Sequence, residues 1–399
     1  MTQRRIPAVV MRGGTSRAVF FHGSDLPEDP ALRDRVILSI FGGGDPYGRQ
    51  IDGLGGAFST TSKTAIITPP SVPDADVDYT FGQVSVTVPL IDYGGNCGNI
   101  SSAVGPFAIE EGMVEATGVV TVVRIWQTNT RKRIVAHVPT DRGLPAVEGD
   151  FAIDGVPGTG ALIRLEFLDP GGSMTGRLLP TGHPTDDLDV PGVGALTVSL
   201  VDAANPLVFA RPADLGLAGL EMPDRVDGDP ALLSRIEAVR AAAAVRMGLA
   251  RTADEATARS PGVPKIAWVS APATYTSTKG GAVAAAQIDL VGRIMSMGRL
   301  HRSHALTGAI CTSVAAQVEG TLPHQAARPG PAGERTVRVG HPAGVIEVGA
   351  VVTRRGEEWV AEKVITRRTA RRLMEGVACV PASLWPLAEP AERAGATRG

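Results

Sequence analysis

The sequence predicts an α+β protein built from two similar domains, and three observations lead to this prediction. The chain has 399 residues, a length that suits two domains of ordinary size. Its 48 glycines and 30 prolines are spread throughout, which is typical of many short strands joined by tight turns. Two distant segments also resemble each other, which indicates an internal repeat.

The first half of the chain is predicted to consist mostly of short strands. The predicted strands are 6–11, 17–21, 63–68, 84–89, 119–127 and 134–139, and the predicted helices are 30–41 and about 99–112. A turn-rich stretch at 178–188 is the predicted junction between the domains. We therefore expect an N-terminal domain at 1–186, a C-terminal domain at 187–386 and a frayed tail at 387–399.

The second half is predicted to repeat this build. Its predicted strands are 195–201, 266–270, 282–289, 336–338 and 345–352, and its predicted helices are 230–247, 307–319 and a basic amphipathic helix at 366–375. The internal repeat aligns the segment from Cys97 with the segment from Thr307. Both segments predict a glycine turn followed by an apolar helix, so two such units would face one another.

Composition and charge exclude several classes of function. The 39 basic residues are balanced by 41 acidic ones, and a nucleic-acid-binding protein would need a basic surplus. No apolar run approaches the roughly 20 residues of a membrane span. Three cysteines make a poor disulfide framework and favour a reducing, cytoplasmic location.

The segment around Cys97 carries the sharpest chemical signal. Cys97 directly precedes a predicted helix, so its thiol meets free backbone N–H groups and the positive end of the helix dipole, which favour the thiolate. The N–H groups of Gly98 and Asn99 could also hold a substrate carboxylate or a developing oxyanion. A buried structural cysteine is the alternative interpretation.

Lys63 follows a stretch rich in glycine and hydroxyl residues. The chain has only five lysines: Lys63, Lys132, Lys265, Lys279 and Lys363. Lysine can lose its proton in a protein, whereas arginine cannot. Lys63 opens a short apolar strand, where desolvation lowers the pKa of a lysine toward that of a general base. The alternative is a surface lysine whose stem covers apolar surface.

Two further segments predict carboxylate binding. Residues 12–16 follow the first strand and offer the Arg12 guanidinium together with N–H and hydroxyl donors. Residues 293–304 contain His301 and His304, a spacing that could suggest a metal. No companion ligand stands at zinc spacing nearby, so we predict no metal and expect this segment to orient an acidic substrate.

Motifs along nearly the whole chain, in order, resemble those of the PrpF family. The matching stretches are 11–16 (MRGGTS), 49–56 (RQIDGLGG), 59–63 (STTSK), 76–84 (DVDYTFGQV), 95–100 (GNCGNI), 104–109 (VGPFAI), 179–182 (LPTG), 296–298 (SMG) and 371–376 (RRLMEG). The resemblance implies a diaminopimelate epimerase-like fold. In that fold each domain is a β-barrel-like sheet wrapped around a central helix, and the active site lies in the interdomain cleft.

The resemblance also implies an activity and a set of site residues. Family members shift a proton on small unsaturated di- or tricarboxylates without metal or organic cofactor, and the catalytic pair falls on Cys97 and Lys63. The expected substrate-binding residues are Arg12, Gly14, Thr15, Ser16, Ser62, Asn96, Gly98, Asn99, Arg293, Ser296, Met297, His304, Thr307 and Gly308. A homodimer is compatible with the resemblance.

The repeat adds an argument about the type of reaction. An epimerase of this fold inverts a carbon with two thiols, one from each domain, but Thr307 occupies the second position and is too weak an acid. We therefore expect a proton shift across an allylic system. The first hypothesis is cis–trans isomerisation of 2-methylaconitate, in propionate breakdown by the methylcitrate route. A 4-oxalomesaconate tautomerase or an itaconate/aconitate-type isomerase is the second. A non-catalytic carboxylate-binding protein is the third.

Overall fold

The structure is a computed structural model that describes residues 2–331 and 333–385. The predicted tail at 387–399 lies outside these residues. Within them, no helix has the length and apolar character needed to cross a membrane.

The first half contains nine strands and two helices among the described residues. The strands are β1 (Gln3–Gly13), β2 (Ser16–His22), β3 (Lys63–Thr68), β4 (Val77–Val84), β5 (Ile91–Asp92), β6 (Val120–Gln127), β7 (Lys132–Asp141), β8 (Leu144–Pro145) and β9 (Ile163–Leu168). The helices are α1 (Pro30–Phe41) and α2 (Gly98–Glu110).

The second half contains the remaining elements. Its strands are β10 (Asp186–Val190), β11 (Gly194–Ala203), β12 (Asn205–Ala210), β13 (Lys265–Ser270), β14 (Tyr275–Thr276), β15 (Ala282–Val283), β16 (Leu290–Ser296), β17 (Arg299–Leu300), β18 (Gly333–His341), β19 (Gly344–Arg355), β20 (Glu358–Arg368) and β21 (Ala370–Pro381). Its helices are α3 (Pro223–Asp227), α4 (Pro230–Arg246), α5 (Ala253–Arg259), α6 (Leu306–Ala315) and α7 (Leu322–Ala326).

The two halves share one pattern of strand pairing. In the first half, β1–β2 is antiparallel, β2–β3 parallel, β3–β4 antiparallel, β4–β6 parallel, and β6–β7 and β7–β9 antiparallel. The same order of pairings returns in β11–β12, β12–β13, β13–β16, β16–β18, β18–β19 and β19–β20. The halves therefore have the common topology that the internal repeat predicts.

Each half wraps its sheet around one buried helix. Helix α2 packs against β1, β2, β6 and β7, and helix α6 packs against β11, β12, β18 and β19. Small residues let the strands approach closely, since a Cβ added at Gly105 would lie 2.7 Å from the Val138 side chain. The helices meet at their N-terminal ends, where a Cβ at Gly98 would lie 3.0 Å from Leu306 Cγ. The N-terminal ends of α2 and α6 therefore lie next to each other.

The last strands of the chain return to the first half. Strand β21 pairs with β1 along its length, and β20 pairs with β9. The sheet around α2 is therefore completed by residues from the C-terminal end. The division of the chain into two domains at residue 186 stays a proposal. By their pairing, strands β20 and β21 would belong to the N-terminal domain.

Three predicted elements are wrong. The predicted helix at 366–375 is strand, because pairing of β21 with β1 overrides the local pattern and Arg372 bonds to Glu110 at 2.7 Å. The predicted strand at 84–89 is mainly a turn closed by a Ser85 N–H bond to the Leu90 carbonyl at 2.9 Å. The predicted strand at 282–289 is only β15 followed by a 3-10 turn, Ala285–Gln287.

Candidate active site

Cys97 and Lys63 line one cavity between the two halves. Its lining from the first half is Ser16, Lys63, Phe81, Gln83, Asp92, Gly95, Asn96, Cys97 and Asn99, and from the second half Asn205, Gly262, Val263, Lys265, Ser296, His301, Ala305 and Thr307. The lining includes five of the predicted substrate-binding residues: Ser16, Asn96, Asn99, Ser296 and Thr307. The thiol and the amine thus belong to the same compartment.

Lys63 is buried at the start of β3, opposite Gln83 of β4. Its Nζ donates to Gln83 Oε1, and Gln83 is fixed in turn by donating to the Ser62 carbonyl at 2.9 Å. The Nζ also lies 5.2 Å from the centre of the Phe81 ring. Burial lowers the pKa of Lys63, and the nearby Cys97 raises it by a smaller amount. This environment favours a neutral amine that can accept a proton.

Cys97 is the N-cap residue of α2, and its thiol is free. The side chain makes no capping hydrogen bond, while its carbonyl accepts from the Ser101 N–H at 2.9 Å. The N–H groups of Gly98 and Asn99 belong to the first turn, which has no earlier carbonyl to bond within the helix. The thiol therefore stands at a helix start beside donors suited to an anion.

The second half contributes Lys265 and Thr307 at corresponding places. Lys265 opens β13, and its Nζ donates to the Gly262 carbonyl at 3.0 Å. Burial, aided by the charge of Lys63, lowers the pKa of Lys265 to about 8. The Thr307 hydroxyl accepts from Asn205 Nδ2 at 3.2 Å, so it is held by the protein.

Cys311 does not supply a second thiol to the cavity. It is buried within α6, with its Sγ 3.4 Å from the Val201 carbonyl. Burial raises the pKa of this thiol above its ordinary value. Cys311 is a core residue.

A network of hydroxyl and amide groups closes the cavity beside β2. Thr15 Oγ1 accepts from Asn99 Nδ2 at 3.1 Å, and Asn99 Oδ1 accepts from Arg368 Nε at 3.1 Å. Gly14 adopts φ +51°, and an added Cβ would lie 2.2 Å from Asn99 Oδ1, so only glycine fits there. The Ser16 hydroxyl is buried and has no hydrogen-bond partner, which leaves it available to a ligand.

The two histidines of the 293–304 segment face different cavities. His301 lines the cavity of Cys97, whereas His304 lines a larger adjoining cavity together with Thr15 and Arg368. Burial lowers the pKa of His301 to about 3 and that of His304 to about 4, so both rings are neutral near pH 7. Neither is a cationic anchor for a carboxylate. Among the described residues, no group of three or more His, Cys, Asp or Glu side chains could hold a metal ion.

Two arginines predicted to bind substrate are held by the protein itself. The Arg12 guanidinium donates to the carbonyl and the hydroxyl of Thr369, each at 3.0 Å. Arg293 is fully buried and donates to the carbonyls of Glu221 at 2.8 Å and Gly292 at 3.0 Å. Neither lines the cavity of Cys97, and direct contact of either arginine with the substrate stays a prediction.

Five smaller predicted residues also lie outside the cavity lining: Gly14, Ser62, Gly98, Met297 and Gly308. The Ser62 hydroxyl donates to Gln50 Oε1 at 2.5 Å. Gly308 allows close packing, since a Cβ there would lie 2.2 Å from the Ile294 side chain. Met297 lines a smaller neighbouring cavity. Contact of these residues with the substrate stays a prediction.

Sequence reasoning missed Gln83, Asp92, Asn205 and Lys265. Asn205 joins the two halves, because its side chain accepts from the Asn96 N–H at 2.9 Å and donates to the Asn96 carbonyl at 3.1 Å. Asp92 also joins them by accepting from the Gly262 N–H at 2.9 Å. The scarcity of lysine in the sequence could have drawn attention to Lys265. Only the strand pairing shows that Lys265 occupies the position equivalent to that of Lys63.

Comparison with known proteins identifies the family of the chain. Residues 3–381 match the family model described as PrpF protein. The chain belongs to the PrpF family. The predicted family membership is thereby confirmed over nearly the whole chain.

Several relatives are similar to this chain over nearly their whole length. The 3-methylitaconate isomerase of Eubacterium barkeri is 48% identical, covering 94% of this chain and 97% of the relative. The 2-methyl-aconitate isomerase of Shewanella oneidensis is 44% identical, covering 95% and 98%. The 4-oxalomesaconate tautomerase of Pseudomonas putida is 39% identical, covering 96% and 99%. The names of these relatives agree with the isomerase class that the sequence predicts.

Solved structures support the fold. The crystal structure of a methylitaconate-delta-isomerase superposes with a TM-score of 0.75 at 46% identity, covering 98% of this chain and all of that one. A hydroxyproline epimerase from Agrobacterium vitis superposes with a TM-score of 0.55 at 13% identity, covering 95% and 93%. The second likeness concerns the fold alone. The predicted α+β, epimerase-like fold is confirmed.

Proposed function

We propose that this protein is a cofactor-independent isomerase that moves a proton across the allylic system of a small unsaturated tricarboxylate, with 2-methylaconitate as the preferred substrate. The observation that carries the proposal is the shared cavity of Lys63 and Cys97, a buried amine and a free thiol. The names of the similar isomerases support the class of substrate.

In the first step, the neutral amine of Lys63 takes a proton from the carbon beside the double bond. The C–H bond breaks, an N–H bond forms, and the electron pair spreads through the conjugated system to a carboxylate, giving a dienolate. A neutral amine has two N–H groups and one lone pair, so Lys63 can donate to Gln83 and still accept this proton. The N–H groups at the start of α2 stabilise the developing negative charge.

In the second step, the thiol of Cys97 gives its proton to the far carbon of the allylic system. The S–H bond breaks, a C–H bond forms, and the double bond closes in its new position. The Lys63 ammonium then returns a proton to the thiolate and restores the starting state. Because the former double bond has single-bond character in the dienolate, rotation before reprotonation at the original carbon gives cis–trans exchange.

Methylitaconate is the second candidate substrate. It is favoured by the 48% identity to the Eubacterium barkeri enzyme and by the TM-score of 0.75 to a methylitaconate-delta-isomerase. Both candidates use the same proton transfer and differ in the number of carboxylates to be held.

A substrate panel monitored by ultraviolet absorbance tests the proposal. The panel contains 2-methylaconitate, methylitaconate, 4-oxalomesaconate, aconitate and itaconate. We expect the highest kcat/KM with 2-methylaconitate. A maximum with methylitaconate would favour the second candidate, and binding without turnover of any member would contradict an isomerase.

A further inference from the structure

The common topology of the two halves relates Lys265 to Lys63. Strands β3 and β13 occupy the same place in the repeated pairing order, and each begins with a lysine. Each also pairs in parallel with the strand before it, β3 with β2 and β13 with β12. Ser16 and Asn205 open those preceding strands. The cavity is therefore lined by equivalent positions of the two halves. Cys97 corresponds to Thr307, and Lys63 corresponds to Lys265.

The charges around Lys265 leave it available to an anion. The groups that act on it electrostatically are Lys63, Asp92, Cys97 and Arg240. Arg240 is already paired with Glu237 at 2.6 Å, and both Asp92 oxygens accept backbone N–H groups, from Gly94 at 2.7 Å and Gly262 at 2.9 Å. His301, which also faces Lys265, is neutral near pH 7. Within the described chain, Lys265 forms no ion pair.

A buried polar atom that the first half contributes to the cavity lining also points to a ligand. The Ser16 hydroxyl is 3% exposed and has no hydrogen-bond partner. An unpaired buried hydroxyl costs free energy unless a bound molecule pairs with it. A substrate carboxylate can accept from Ser16 on one side and from a lysine on the other.

We propose that Lys265 is the carboxylate-binding counterpart of Lys63: its ammonium holds one carboxylate of the substrate while Lys63 and Cys97 move the proton. The inference rests on the proposed function for its substrate. It assigns different tasks to two lysines at equivalent positions. One lysine accepts a proton, and the other holds an anion.

The test compares Lys265→Met and Lys265→Arg with the wild type. We expect Lys265→Met to raise both KM for the substrate and Kd for tricarballylate, a saturated tricarboxylate, by about tenfold or more, with a smaller effect on kcat. Lys265→Arg keeps the charge and should retain most of the affinity. Lys132→Met is the matched control, because the Lys132 ammonium also donates to a backbone carbonyl, that of Gly171 at 2.8 Å, but outside the cavity.

The pH profile gives an independent readout. Because Lys265 must be charged to bind a carboxylate and its pKa is lowered to about 8, kcat/KM of the wild type should fall above about pH 8. In Lys265→Arg this fall should move to higher pH, since a guanidinium stays protonated.

Calorimetry with tricarballylate separates this inference from the proposed function. Unchanged Kd in a folded Lys265→Met variant would overturn the inference and leave the isomerase proposal intact. A loss of kcat at unchanged KM would also overturn it, because Lys265 would then take part in proton transfer. Weakened tricarballylate binding in Lys265→Met, with no turnover by the wild type, would support the anion site and overturn the isomerase proposal.

Discussion

The two halves of the cavity have the same topology but different chemistry. In the first half, the free thiol of Cys97 accompanies the buried amine of Lys63. In the second, the Thr307 hydroxyl is bonded to Asn205, and Lys265 is only partly buried. Within the described residues, the cavity is therefore lined by one lysine from each half and by a thiol from the first half only. Equivalent positions of one repeated topology therefore carry side chains suited to different chemistry, Cys97 against Thr307 and Ser16 against Asn205.

Moving the thiol across the cavity tests this difference most severely. In the double variant Cys97→Ala/Thr307→Cys, the thiol belongs to the half that lacks Lys63. We expect kcat to stay at least about 10²-fold below the wild type, as in Cys97→Ala alone, because the proton donor no longer accompanies its base. The ultraviolet assay measures both variants side by side. Recovery to within about tenfold of the wild type would mean that the two halves are interchangeable.

Changing the partner of Lys63 sharpens the comparison through pH. Gln83 accepts from the Lys63 ammonium and so favours its charged form. Gln83→Leu should lower the pKa of Lys63 and move the acidic limb of kcat/KM to lower pH. Gln83→Glu should raise that pKa and move the limb to higher pH. Limbs that move in the same direction, or not at all, would show that Gln83 does not act through Lys63.

Arg293 tests whether a buried arginine of the second half supports the fold. Arg293→Met leaves several buried carbonyls without a donor and should lower the free energy of unfolding by about 3 kcal/mol. Urea unfolding measures the change. The control Arg251→Met removes a largely exposed pair with Glu255, at 3.2 Å, and should cost less than about 1 kcal/mol. Equal losses in the two variants would contradict the structural role of Arg293.

Local chemistry made some elements predictable from the sequence. Helix α1 has the predicted bounds because the Asp29 carboxylate caps it by accepting from the Leu32 N–H at 2.8 Å, and Gly42 ends it at φ 61°. Strand β3 is likewise found at its predicted residues. The Cys97 site was predictable because a cysteine at a helix start has a specific electrostatic environment.

The remaining elements and site residues depend on contacts between distant parts of the chain, which a local sequence pattern does not show. The 366–375 segment has a helix-like pattern, but β21 is held along its length by β1, more than 300 residues away in the chain. The same limit applied to Lys265, since only the pairing of β12 with β13 reveals that it occupies the place of Lys63. The surroundings of Arg293 were hidden as well, since a sequence does not show which carbonyls surround a guanidinium.

Exchange of substrate protons with heavy water, followed by nuclear magnetic resonance, decides whether Lys63 and Cys97 move the proton. The claim is that one amine and one thiol in a single cavity carry the proton in both directions. Wild-type protein should wash deuterium into the allylic carbons, and Lys63→Ala and Cys97→Ala should each abolish this exchange while remaining folded. Exchange at the wild-type rate in either variant would remove that residue from the mechanism and contradict the account.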